Sequence, residues 1–170
     1  MTQTWFITGS SRGFGRALVR AALEAGDRVA ATARRPEQLD DLVAAYPDRL
    51  QALALDVTDA AAAASALNEA RQRFGRLDVI VNNAGYANIA PIETGDDEDF
   101  REQFETNFWG VYHVSKAAIP VLASISERRL NKLVDPATND GLPPFLIGNE
   151  DGTESGHMIV QYAQAGIVGE

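Results

Sequence analysis

The sequence predicts an α/β fold: a parallel sheet of four strands in the order 3-2-1-4, flanked by helices and followed by a C-terminal helical extension. Two observations predict it. Short apolar runs alternate with helix-period segments along residues 3–122, and a glycine-rich turn joins the first run directly to the first helix. Strands that alternate with helices pair in parallel through right-handed crossovers, which limits the topologies available.

Taken in order, residues 3–8 form the first strand and 12–25 its helix, with Ala17, Leu18, Ala21, Ala22 and Ala25 at helical spacing and Gly26 after them. Val29-Ala30-Ala31-Thr32 is a short second strand. Pro36 suits the first turn of a helix, whose stripe is Leu39, Leu42, Val43 and Tyr46. Leu50 to Leu55 is the third strand, and the alanine-rich run Asp59 to Phe74 is a helix closed by Gly75. Leu77 to Asn82 is the fourth strand. Residues 86–96 form a polar loop, and the carboxylates of Asp96, Asp97 and Glu98 start a long helix reaching about Leu122. These carboxylates are solvated caps in this reading rather than metal ligands. The whole is Rossmann-like, with no internal repeat and no low-complexity linker.

The turn Thr8-Gly9-Ser10-Ser11-Arg12-Gly13-Phe14-Gly15 is the candidate binding site. The first backbone amides of a helix lack internal partners and carry the positive end of its dipole, so a diphosphate fits there. Glycine is required because a Cβ at the turn would hold the backbone away from the phosphates.

Composition limits the function classes. Of 170 residues, 45% are hydrophobic and 23% charged, the mix of a globular protein with material for a core. No apolar run approaches the ~20 residues of a membrane helix, and Trp5-Phe6-Ile7 is too short for a signal peptide. The absence of cysteine excludes disulfides, thiolate metal sites and cysteine nucleophiles. A net charge of -9 argues against nucleic acid and anionic membranes as partners, so a cytoplasmic protein is expected.

The Thr-Gly-x-x-x-Gly-x-Gly spacing at Thr8 to Gly15 resembles the signature of the short-chain dehydrogenase/reductase family, as do Asn82-Asn83-Ala84-Gly85 after the fourth strand and Asn107 within Thr106-Asn107-Phe108-Trp109-Gly110. The resemblance covers about residues 1–122, a dinucleotide-binding half. It implies that Gly9, Ser11, Arg12, Gly13, Phe14 and Gly15 surround a cofactor diphosphate. It further implies that Asp56 and Val57 contact the adenine, and that Asn83, Ala84 and Gly85 lie under the adenosine ribose, with Asn83 also tying neighbouring strands together. Enzymes for NAD place an acidic residue at the end of the second strand. This chain has Ala33 followed by Arg34 and Arg35, with Arg12 inside the glycine loop, a set of guanidinium groups suited to a 2′-phosphate. The cofactor implied is NADP(H), and the bland alternative for Arg34 and Arg35 is solvated surface charge.

Catalysis in that family uses a serine and a Tyr-x-x-x-Lys pair on a later helix. Asn107 is the one catalytic member in family position. Tyr112 and Lys116 have the right spacing but follow Asn107 on its own helix, so they read as an ordinary surface pair. Tyr162 has Gly166 where lysine is needed, and Ser124 and Ser126 follow no strand. His113 and His157 lack metal-ligand partners at the required spacing.

Beyond about Ala123 the resemblance changes to the aromatic amino-acid ammonia-lyases and aminomutases, through Ser126-Glu127-Arg128-Arg129, Gly141-Leu142-Pro143-Pro144-Phe145-Leu146 and Ser155-Gly156-His157-Met158-Ile159-Val160-Gln161. The Ala-Ser-Gly tripeptide from which that family builds its electrophile is absent, and Glu170 alone cannot replace it. Residues 123–170 are therefore expected to be a helical tail, with helices at 124–134 and 157–169 packing through Met158, Ile159, Tyr162 and Ile167. Three readings follow: a catalytically incomplete NADP(H)-binding module, an active carbonyl reductase or alcohol dehydrogenase, or a chimeric or designed chain without enzymatic role. A homo-oligomer is expected in each, because the fourth strand's outer edge is left open and the long helix packs between subunits in the resembled reductases.

Overall fold

The structure, a computed structural model, describes residues 2–122 and the backbone of residues 158–161. Its centre is a parallel sheet. Strands β1 (Thr4–Ile7), β2 (Arg28–Ala33), β3 (Leu50–Ala54) and β4 (Val79–Asn82) lie in the order 3-2-1-4. Phe6 stands beside Ala30 of β2 and Ile80 of β4, so these three side chains share one face. Ile7, Val29, Ala31, Val79 and Val81 occupy the other. This period of two divides the core into two layers.

On the Ile7 face lie α1 (Gly13–Glu24), a 3₁₀ turn (Pro36–Leu39) and α2 (Asp40–Ala45). Helix α1 buries Gly15, Val19, Ala22 and Leu23, the stripe that a 3.6-residue period produces. Pro36 sits in the first turn of the 3₁₀ segment, where a missing amide costs nothing. On the Phe6 face lies α3 (Ala60–Phe74), which buries Ala63, Ala66, Leu67, Ala70 and Phe74. Asp59 caps α3 by accepting from the amides of Ala61 and Ala62, and Gly75 ends it at φ +79°. The alanines let α5 (Gly110–Leu122) approach closely through Val114, Ala118, Val121 and Leu122. Deleting a fully buried anchor such as Phe6 would cost ~3–5 kcal/mol.

The long helix from Asp97 to Leu122 has a local widening. Helix α4 (Asp97–Phe104) passes into a π-helical turn (Glu105–Trp109) and then into α5. Asp96 caps α4 by accepting from the amides of Glu98 and Asp99, so the acidic run serves the helix start.

The sequence expectation fails over 158–161. A helix was expected at 157–169, but Met158–Gln161 is a fifth strand, β5, parallel to β4 with Val79 opposite Met158 and Asn82 opposite Gln161. Two reasons account for this. Three apolar residues followed by a glutamine suit a strand as well as a helix, and the open edge of β4 supplies a row of unpaired backbone groups to complete. The sheet order is thus β3-β2-β1-β4-β5. The expected helix at 124–134, the tail side-chain packing and Ser124, Ser126, His157 and Tyr162 lie outside the described residues.

Candidate functional site

The strand order reverses at β1, with β2 and β3 on one side and β4, reached from β3 through α3, on the other, so a crevice forms beyond the carboxyl ends of the strands. The glycine loop fills the floor of that crevice. The Thr8 amide donates to Val81 O at 3.0 Å, and the Ser10 amide donates to Thr32 O at 2.9 Å, holding the loop between both neighbouring strands. The Ser10 hydroxyl donates back to Ile7 O at 2.8 Å. Gly9 and Gly13 adopt φ +66° and +57°, a region that side-chain-bearing residues rarely enter.

Space explains the remaining glycines. A Cβ on Gly15 would lie 2.3 Å from Asn83 Nδ2 and 2.4 Å from Gly9 O. One on Gly9 would meet the Ala84 backbone at 2.8 Å, and one on Gly85 would meet Asn107 Oδ1 at 3.0 Å. The loop, the start of α1 and the segment after β4 are therefore in direct contact. Asn83 is the clamp: its Nδ2 donates to Thr8 O at 2.9 Å and Gly9 O at 3.0 Å, while its buried Oδ1 has no hydrogen-bond partner among the described residues. Thr8 Oγ1 accepts from the amides of Asn83 and Ala84, at 3.0 and 2.9 Å.

The result is a cleft of about 820 Å³. Nine of the expected residues line it: Gly9, Ser11, Arg12, Arg34, Asp56, Val57, Asn83, Ala84 and Gly85. Gly13, Phe14 and Gly15 do not line it. They form the first turn of α1, with Gly15 buried beneath the loop and Phe14 half exposed. Arg35 is also off the lining, at the residue preceding the 3₁₀ turn and exposed. Among the described residues no side chain caps α1, and no acidic residue stands in its first turn, so its positive dipole end suits an anion. The cleft size and the start of α1 fit a dinucleotide, and Arg12 and Arg34 lie on the lining beside a neutral Ala33.

Asp56 accepts on one oxygen from the amide and hydroxyl of Thr58, at 3.0 and 2.8 Å. The helix cap is supplied by Asp59, so Asp56 is not spent on that task. Asn107 lies in the π turn and is engaged at both ends: Oδ1 accepts from the Tyr86 amide at 3.0 Å and Nδ2 donates to Tyr86 O at 2.7 Å. It fixes the segment that follows Gly85. Tyr112 and Lys116 are absent from the cleft lining; the Lys116 ammonium sits over the Tyr112 ring at 5.4 Å, and Tyr112 packs edge-on to Trp109. His113 Nδ1 contacts Val57 O at 3.2 Å, a structural tie. Among the described residues no group of three metal-ligating side chains converges, and no helix is long and apolar enough to cross a membrane.

Tyr86, Glu102, Glu105 and Thr106 line the cleft without having been singled out in the sequence. Their signal is their neighbourhood to Gly85 and Asn107, but only the fold brings the start of the long helix against the glycine loop.

A profile of the short chain dehydrogenases matches residues 3–134. The chain belongs to the short-chain dehydrogenase family. The oxidoreductase BOA17 of Botryotinia fuckeliana is 53% identical over 123 residues, covering 72% of this chain and 45% of that protein. A solved short-chain dehydrogenase from Streptomyces avermitilis superposes with a TM-score of 0.67 at 45% identity, over 71% of this chain and 44% of that one. The NADP-dependent 3-hydroxy acid dehydrogenase YdfG of Shigella flexneri is 31% identical over 144 residues, covering 84% of this chain and 57% of that protein. The chain thus spans about half the length of the curated relatives it matches. A second profile, of the aromatic amino acid lyases, matches residues 112–170 and overlaps the dehydrogenase match at its end.

Proposed function

We propose that this short-chain dehydrogenase chain is an NADP(H)-binding module whose proton-transfer machinery is incomplete. The observation that carries the reading is the pairing of Arg12 and Arg34 on the cleft with a neutral Ala33 at the end of β2. A carboxylate there would repel a 2′-phosphate, whereas two guanidinium groups hold one. The diphosphate belongs over the loop from Gly9 to Gly15, toward which the positive dipole end of α1 points. Asp56 and Val57 would meet the adenine, Asn83, Ala84 and Gly85 the adenosine ribose, and Arg35 would add long-range attraction from outside the lining. The cofactor, when bound, supplies hydride chemistry.

Catalytic incompleteness rests on the position of the acid–base pair. A tyrosine and lysine must reach the substrate carbonyl together, and Tyr112 and Lys116 are stacked among aromatic side chains away from the cleft. Asn107 acts through Tyr86 in this reading, as a positioning residue. The proposal includes a boundary at residues 122 and 123 and a recombined origin for the part beyond it; the two profile matches overlap across residues 112–134, a range that contains this boundary without fixing it. A cytoplasmic location belongs to the same proposal, from the acidic, cysteine-free composition.

A homo-oligomer is part of the proposal too, though by a different route than the edge of β4, which β5 covers. Phe100, Phe104 and Phe108 are each about half exposed or more on the α4–α5 helix, in a file continued by Trp109 and Tyr112. Such an apolar face marks an interaction surface.

Fluorescence titration with NADPH, alongside NADH, tests the binding reading. Saturable binding with a preference for NADPH is expected; no saturation at millimolar concentration overturns it. An NADPH-oxidation assay with aldehydes and ketones tests incompleteness. A turnover rate that disappears in Tyr112→Phe would establish the active-reductase reading instead.

A further inference from the structure

Arg16 joins two walls of the cleft without lining it. It stands in the first turn of α1 with its side chain 22% exposed. One of its guanidinium nitrogens straddles the Asp41 carboxylate of α2, 2.6 Å from each oxygen. The other donates to Gln38 O at 2.9 Å and reaches Ser11 O at 3.5 Å. Arg20, one turn along α1, adds a contact to Asp41 at 3.7 Å. Hydrogen bonding to Arg16 holds the Asp41 carboxyl below the usual carboxylate range.

The positions of these partners matter. Ser11 is the loop residue next to Arg12. Gln38 and Asp41 belong to the 3₁₀ turn and α2, the segment that begins right after Arg34 and Arg35. Each of the two strands of chain that Arg16 cross-links therefore delivers one guanidinium to the cleft. Arg34 is exposed and stands one residue beyond the end of β2, so the turn that follows β2 must be held if Arg34 is to keep its distance from Arg12.

We infer that Arg16 is a positioning residue for cofactor selectivity: by tying Ser11 to Gln38 and Asp41 it sets the gap between Arg12 and Arg34 that admits a 2′-phosphate. The inference rests on the NADP(H) reading above. A phosphate shared by two guanidinium groups needs both within hydrogen-bond reach, and a shift of about 1 Å loses one of them. The diphosphate is held instead by loop amides and the helix dipole, which the β1, β2 and β4 contacts keep in place. Loss of Arg16 should thus alter the choice between cofactors more than the grip on either.

The test is a titration of the full chain with NADP⁺ and with NAD⁺, in the wild type and in Arg16→Ala, Arg16→Lys and Asp41→Asn, with thermal melts run in parallel. Arg16→Ala should lower the NADP⁺-over-NAD⁺ affinity ratio about tenfold while NAD⁺ affinity changes by no more than about twofold. Arg16→Lys, which keeps one ammonium contact, should recover part of the ratio, and Asp41→Asn should lower it in the same direction. If Arg16→Ala does not fold, the lysine and asparagine variants decide by the same ratio. Equal weakening of both cofactors, or an unchanged ratio beside a lowered melting temperature, overturns the inference and leaves the NADP(H) reading standing. A wild type that binds both cofactors equally, or neither, removes both.

Discussion

The glycine-loop side of the cleft and the α4–α5 side are built by different means. On the first, backbone lies against backbone and two buried side chains lock it: Gly15 lies so close to Gly9 O and the Asn83 amide group that not even a methyl group fits, and Thr8 Oγ1 serves two amides at once. Across the cleft, contacts are made by side-chain tips, as where Asn107 grips Tyr86, and the helix beyond presents Phe100, Phe104 and Phe108 to solvent. A wall of backbone contacts cannot yield without moving strands, whereas a wall of side-chain tips adjusts by rotamer changes. The first wall is complete within itself. The second is finished on its inner surface and bare on its outer one, which suits a face awaiting a partner.

Substitutions that add one group to each wall should break or sharpen that contrast. Gly15→Val carries the largest effect: its Cβ would sit 2.3 Å from Asn83 Nδ2 and 2.4 Å from a carbonyl oxygen of the loop. We expect a loss of at least ~3 kcal/mol in chemical denaturation and no measurable dinucleotide binding. Gly85→Ala, whose Cβ meets only the Asn107 side chain at 3.0 Å, should cost about 1 kcal/mol by the same measurement. Equal costs at the two positions would show that the walls do not differ in stiffness.

Thr8→Val comes next. It leaves the amides of Asn83 and Ala84 without their acceptor, so a loss of ~2–4 kcal/mol is expected in urea unfolding. Arg34→Ala should weaken NADPH binding about tenfold in fluorescence titration and leave NADH unchanged, if, as proposed, the contact removed is to the 2′-phosphate. On the other wall, Phe104→Ser with Phe108→Ser should alter monomer stability by less than ~1 kcal/mol because both rings are half exposed. Light scattering should nevertheless show a smaller particle; an unchanged mass would remove the partner role of that face. The smallest effect concerns pH. Asp41 is held below the ordinary carboxylate range by Arg16, so its contribution is present at neutral pH and lost as pH falls through the lowered value. The stability difference between wild type and Asp41→Asn should therefore hold constant at neutral pH and shrink below about pH 4.

What was legible in the sequence was whatever one segment decides alone. Asp59 and Gly75 bracket α3 as expected, because a cap bonds amides two and three residues away and a left-handed glycine needs no distant partner. The order of the first four strands followed from alternation and crossover handedness. The rest required partners far along the chain. Arg16 meets Asp41 across 25 positions, and nothing in either neighbourhood announces the pairing. Asn107 reaches Tyr86 across 21 positions, through a π turn that no residue pattern marks. Met158–Gln161 was misread because a run of four is shorter than the helical repeat needs to reveal itself, and the deciding factor was a vacancy on β4.

That vacancy has a consequence for how such sheets change over generations. The ladder between β4 and its newest neighbour is formed by amides and carbonyls, which every sequence possesses. A rim of this kind accepts a short extended segment whatever its side chains, so the sequence that supplies the fifth strand can change while the four-stranded core keeps its architecture.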